Sequence, residues 1–159
     1  MKTKEINIFH EFVQHKNIIM VHGANCFHTM GGGIAKIVKE KYPKAYEADC
    51  ATPKGDINKL GTYSFAKVDL KRNRYIANLY TQFTYGQNHF GDRELSYDAL
   101  YNSFQKLLKD IENSEIETVL IPYGIGCGLA KGNFKIVEII LDELTEGCNK
   151  ECIVCKLPE

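Results

Sequence analysis

Ile18-Ile-Met-Val-His-Gly-Ala-Asn-Cys-Phe-His-Thr-Met-Gly-Gly-Gly-Ile-Ala-Lys-Ile-Val38 decides the fold. Ile18 to Val21 is a compact apolar run, too short for a helix and right for a buried strand. Gly31, Gly32 and Gly33 follow after a loop. Ile34, Ile37 and Val38 then recur at helical spacing, and Pro43 marks the end of that helix. The same design of apolar strand, glycine-rich loop and helix recurs from Leu120 to Leu144. There Thr118-Val-Leu-Ile-Pro122 runs into Tyr123-Gly-Ile-Gly-Cys-Gly-Leu129. Phe134, Val137, Ile140, Leu141 and Leu144 form the helical stripe, stopped near Gly147.

The segments between and around these two units complete the pattern. Tyr63 to Leu70 and Arg74 to Tyr80 read as two strands of a hairpin around Lys71-Arg-Asn73. Leu100, Phe104, Leu107, Leu108 and Ile111 make another helical stripe. Glu151 to Leu157 reads as a terminal strand around Cys152-Ile-Val-Cys155. Strands alternating with helices imply an α/β domain whose largely parallel central sheet is covered on both faces. No linker or repeat divides the chain, so 1–159 is expected to be a single domain.

Composition narrows the function classes. Lys+Arg and Asp+Glu are both 20, so the net charge is zero, which argues against a general nucleic-acid binder. No run of 18 apolar residues suggests a membrane span. The N-terminus lacks the apolar core of a signal peptide, so a cytoplasmic location is expected. Six cysteines do not make a disulfide framework in a chain with a full core and no export signal. Cys148, Cys152 and Cys155 have a cluster-like spacing. However, two cysteines three apart on one strand point to opposite faces. No Asp/Glu/His cluster has metal-ligand spacing, so no metal or other cofactor is expected, although His89, Asp92 and Glu94 lie close in sequence.

The chemistry is expected where the two glycine loops begin. Ligands of open α/β sheets sit beyond the carboxyl ends of the strands. Glycines there let backbone N–H groups approach a phosphate, and a helix N-terminus adds partial positive charge. Two such loops on one rim suit a diphosphate or an elongated nucleotide. The first loop lacks the Gly-Lys-Ser/Thr ending of a nucleoside triphosphatase. Gly124-x-Gly126-x-Gly128 misses the last spacing of a dinucleotide fingerprint. His22, Asn25 and His28 are expected just past the first buried strand. Asn25 offers a donor and an acceptor, which suits a ribose diol. A histidine there can donate to a phosphate or act as acid or base.

Val21-His-Gly-Ala-Asn25 followed by Gly31-Gly-Gly-Ile-Ala35 resembles the first ligand loop of macrodomains. Ile121-Pro-Tyr-Gly-Ile-Gly-Cys-Gly-Leu129 resembles their second. The resemblance implies a three-layer α/β/α fold with a mixed, largely parallel sheet and a cleft for ADP-ribose. It implies that Gly31, Gly32, Gly33 and Ile34 hold the diphosphate together with Tyr123, Gly124, Ile125, Gly126, Cys127, Gly128 and Leu129. It places Asn25 at the distal ribose, His22 or His28 at the terminal phosphate, and Asn7 with the Ile8 backbone at adenine. Asn7 stands where many macrodomains carry an acceptor Asp.

His22-Gly-Ala-Asn25-Cys26, Tyr42-Pro-Lys-Ala45 and Asn78-Leu-Tyr-Thr-Gln82 resemble the ADP-ribose-1''-phosphate phosphatase branch of fungi and phages. Deglutamylating relatives use a Lys and an Asp where this chain holds Gln82 and Ala130, and neither residue replaces that pair. The expected activity is therefore metal-free hydrolysis of ADP-ribose-1''-phosphate. The alternatives are an ADP-ribosyl hydrolase acting on protein or nucleic acid, and a reader of ADP-ribose or another nucleotide signal. The expected partner is the small-molecule ligand ADP-ribose or ADP-ribose-1''-phosphate, with no membrane partner and no nucleic acid. Gly86 to Ser96 reads as a loop over the ligand. Tyr80, Phe83, Tyr85, Phe90, Tyr123 and Phe134 are aromatic candidates for ligand contact.

Overall fold

The central strand of the sheet sends alternate side chains into two separate cores. The computed structural model describes residues 1–86 and 93–159. Its strands are β1 (Lys2–Glu5), β2 (Ile18–Ala24), β3 (Tyr63–Asp69), β4 (Arg74–Tyr80), β5 (Thr118–Pro122) and β6 (Glu151–Lys156). They form one sheet in the order β1-β6-β5-β2-β4-β3. Neighbours pair parallel except β3 with β4, the expected hairpin.

On β2, Ile18 and Met20 pack on one face with Phe9, Phe12, Val38 and Ala45. Ile19 and Val21 pack on the other with Leu100, Phe104, Val137 and Leu141. The first core lies under α1 (Ile8–Phe12), α2 (Gly33–Lys41) and α3 (Pro43–Cys50); the second lies under α4 (Tyr97–Ile111) and α5 (Phe134–Thr145). This is the three-layer α/β/α arrangement with a mixed, largely parallel sheet.

Local chemistry sets the helix starts. Ser96 Oγ accepts from Ala99 N at 3.1 Å and opens α4, with Asp98 in its first turn. Asn133 Oδ1 accepts from Lys135 N at 3.0 Å and opens α5. Cys152 faces the α5 core and Cys155 the α1 core, so the two thiols do lie on opposite sides of the sheet. Burial raises both thiol pKa values, to about 12 for Cys152 and about 11 for Cys155, which keeps them protonated.

One reading needs correction, and one gains a second part. Strand β2 continues three residues beyond the apolar run, because its register with β4 extends through His22↔Asn78, Gly23↔Leu79 and Ala24↔Tyr80. His22 is therefore inside the strand, not past it. Pro43 ends α2 and also opens α3, where its missing N–H costs nothing at the first helical position. Expectations that fall on His89, Phe90, Asp92 and the centre of the Gly86–Ser96 loop lie outside the described residues.

Candidate functional site

The chain leaves β2 for α2 on one face and leaves the adjacent β5 for α5 on the other. Such a reversal opens a crevice beyond the carboxyl ends of the two strands. A cleft of about 720 Å³ occupies it, a size suited to a small-molecule ligand.

Both glycine loops present backbone donors to this cleft. Among the described residues, the N–H groups of Gly124, Gly126 and Gly128 meet no protein acceptor. The first bond of the α2 ladder runs from Lys36 N to Gly32 O, so the N–H groups of Gly33, Ile34 and Ala35 precede it and are open to a ligand. All six residues line the cleft. Gly126 has φ +72°, and a Cβ there would lie 2.8 Å from Leu95 Cδ1. The second loop can therefore reach the cleft in this shape only with glycine at that position.

Asn25 is buried where β2 gives way to the first loop. Its Oδ1 accepts from Phe27 N at 2.9 Å and Thr29 N at 3.4 Å, while its Nδ2 donates to Thr29 O at 2.7 Å. The oxygen is fully used inside the loop. One N–H remains, so Asn25 faces the cleft as a donor only, not as the donor–acceptor pair expected for a diol.

His22 is 1% exposed and lines the cleft. Its Nε2 lies 2.6 Å from Asn78 Oδ1, and its buried Nδ1 has no partner. Burial lowers its pKa, against the raising effects of the Asn78 hydrogen bond and the Asp49 charge. The ring is therefore neutral at physiological pH.

The cleft brings together His22, Asn25, Gly31, Gly32, Gly33, Ile34, Tyr123, Gly124, Ile125, Gly126, Gly128 and Leu129. It does not bring in His28, Asn7, Ile8 or Cys127. His28 turns its Nε2 to the Thr52 carbonyl at 2.8 Å. Asn7 Oδ1 caps α1 by accepting from Phe9 N at 2.9 Å. Ile8 is buried in the α1 core. Burial raises the thiol pKa of Cys127 and also that of Cys26, so neither is a ready thiolate.

Thr29, Glu94 and Lys131 also line the cleft and were not expected there as ligand contacts. Glu94 is carried by backbone bonding: Glu94 N and Leu95 N both donate to Ala130 O, which ties the start of α4 to the second loop. No local pattern announces a pairing over that distance. Of the aromatic candidates, Tyr85 and Tyr123 line the cleft, and Tyr123 packs at 4.5 Å between centroids on Phe134. Tyr80 is fully buried. Among the described residues, no group of three or more His, Cys, Asp or Glu is placed to hold a metal ion. No helix among them is long and apolar enough to cross a membrane.

Fold and cleft together define an α/β/α domain with a cleft between two glycine loops at a sheet rim. Residues 21–141 match the Macro domain family, and the chain belongs to the macrodomain family. It is 43% identical over 133 residues to an uncharacterized 17.5 kDa protein from the tk-vs intergenic region of Enterobacteria phage T4, spanning 82% of this chain and 81% of that protein. It is 31% identical over 136 residues to an ADP-ribose 1''-phosphate phosphatase of Lodderomyces elongisporus, spanning 81% of this chain and 82% of that enzyme. The macrodomain of Mycobacterium tuberculosis DarG superposes with a TM-score of 0.77 at 18% identity, covering 99% of this chain and 97% of that one.

Proposed function

We propose that the cleft binds ADP-ribose and that the protein hydrolyses ADP-ribose-1''-phosphate to ADP-ribose and inorganic phosphate. One observation carries the reading: unpaired N–H groups from two separate loops converge on one cleft, at Gly33, Ile34 and Ala35 and at Gly124, Gly126 and Gly128. That is a cradle for a diphosphate, whose oxygens accept and never donate. The named activity of the Lodderomyces relative supports the choice of reaction.

In this reading the diphosphate lies between the loops. Asn25 gives its remaining N–H to the distal ribose, and His22 serves the hydrolytic end. Asn7 and Ile8 do not line the cleft, so they are left to cap and pack α1 and are assigned no adenine contact. Fixed donors on the diphosphate anchor the ligand and so position its terminal phosphoester for attack by water. Calorimetry with ADP-ribose tests the binding step. Saturable one-site binding, lost on excess competing ADP-ribose-1''-phosphate, is expected. An absence of heat and of phosphate release would overturn the reading.

A further inference from the structure

A chain of hydrogen bonds runs from His22 into the α3 layer, and the direction of each bond can be assigned. Asn78 is fully buried. Its Nδ2 donates to the Ala45 carbonyl at 3.0 Å and to Ser64 Oγ at 3.0 Å. A carbonyl oxygen only accepts, so the Asn78 amide cannot be flipped without setting two oxygens against each other. Asn78 Oδ1 must therefore face His22, and an amide oxygen also only accepts. The proton of the neutral ring is thus on Nε2, donated across 2.6 Å.

The far end of the chain agrees. Tyr80 OH donates to Asp49 Oδ1 at 2.7 Å. The Tyr80 oxygen is then free to accept from Ser64 Oγ at 2.8 Å, which leaves the Ser64 oxygen to accept from Asn78. Two acceptor-only groups, the Ala45 carbonyl and the Asp49 carboxylate, fix every proton between them. The Asp49 carboxylate at the end of this chain is a charge felt at His22, and Lys59 Nζ stands 4.6 Å over the Tyr80 ring; on the cleft side, Glu94 and Lys131 line the same cavity as His22.

What remains is His22 Nδ1, a buried lone pair without a partner on a residue that lines the cleft. We infer that Asn78 is a positioning residue that holds His22 as the Nε2–H tautomer, so that Nδ1 accepts the O–H of a ligand hydroxyl or of a water held by the ligand. This rests on the reading of the cleft as an ADP-ribose site. It reverses the role that histidine is expected to have toward phosphate: a bare Nδ1 has nothing to donate to a phosphate oxygen. Hydroxyl donors, from the distal ribose or from water, are the chemistry it recognises.

The test is long-range proton–nitrogen correlation NMR on nitrogen-15-labelled protein, which shows directly which ring nitrogen carries the proton. The expected result is a single His22 tautomer with Nε2 protonated and Nδ1 bare, and a shift of the Nδ1 resonance on saturation with ADP-ribose. In Asn78→Ala, an Nδ1–H population should appear, which a merely structural role for Asn78 would not produce. A protonated Nδ1 in the unmodified protein overturns the inference whatever the ligand does. An Nδ1 resonance that stays fixed while calorimetry shows the site filled overturns the acceptor role and leaves the ADP-ribose site standing. Failure of ADP-ribose to bind at all removes both.

Discussion

Gly32 and Leu129 meet at the mouth of the cleft: a Cβ on Gly32 would stand 2.9 Å from Leu129 Cδ1. The first glycine loop therefore touches the second. Gly32 has φ −146°, ordinary extended backbone, so a larger residue there acts by bulk alone. Leu129 is 81% exposed and can swing away. Gly32→Val should keep the melting temperature nearly unchanged while weakening ADP-ribose binding at least about tenfold, which is about 1.4 kcal/mol. Calorimetry beside a thermal melt checks both halves. Unchanged affinity would take this contact out of the site.

Gly126→Ala should behave in the opposite way. The left-handed backbone at φ +72° and the side chain of buried Leu95 at 2.8 Å both resist a Cβ. Left-handed strain costs roughly 1–2 kcal/mol and overpacking roughly 1–3 kcal/mol. The unfolding free energy should fall by roughly 2–5 kcal/mol on those two grounds, measured by urea denaturation. A midpoint equal to that of the unmodified protein would mean the loop relaxes freely.

Asn25 carries both its loop and a ligand donor. In Asn25→Ala, the Phe27 and Thr29 N–H groups and the Thr29 carbonyl lose their partner. Stability should drop by about 1–3 kcal/mol. Asn25→Asp keeps the acceptor but loses both N–H groups, the one on Thr29 O and the free one, and puts negative charge beside the diphosphate cradle. Both variants should lose roughly 10²–10³ in kcat, as removal of one fixed donor does. Steady-state phosphate release measures this, and an Asn25→Asp enzyme with normal kcat would displace Asn25 from the reaction.

The sheet, both glycine loops and the helices after them are legible in the sequence because each rests on a short-range pattern: apolar runs, glycine triplets and helical stripes. Strand β1 is not legible. Lys2-Thr-Lys-Glu5 is an edge strand with little apolar signal, and its place is set by pairing with the distant β6. The inward turn of His22 is also hidden. The strand is extended by long-range register with β4, and that register brings Asn78 to His22. His28 looks equivalent to His22 in sequence, but Thr52 draws it out of the cleft. Glu94 is tied to the second loop by its bond to Ala130 O, a pairing between distant segments that no local motif encodes.

Acid should weaken the fold partly through Glu11. Its Oε1 takes a hydrogen bond from His15 Nε2 at 2.7 Å and lies 3.4 Å from Lys4 Nζ. The His15 bond, then the Lys4 charge, hold its pKa below the ordinary 4.5, against the raising effect of burial. A depressed pKa means the unfolded chain binds the proton more readily. Glu11 therefore adds stability above about pH 4.5, and that stability is lost as the pH falls through its folded-state value. Acid titration followed by circular dichroism should show a shallower acid limb in Glu11→Gln. An unchanged limb would assign acid unfolding to other carboxylates.

Phosphorus NMR on ADP-ribose-1''-phosphate, mixed with the purified protein and a chelator, tests the central claim most directly. The account predicts a growing inorganic phosphate signal as the terminal phosphate signal declines. Shifted diphosphate signals without phosphate release would contradict the phosphatase reading and leave a reader, or a hydrolase of another ADP-ribose linkage. Neither shift nor release would mean that the two glycine loops hold a different ligand.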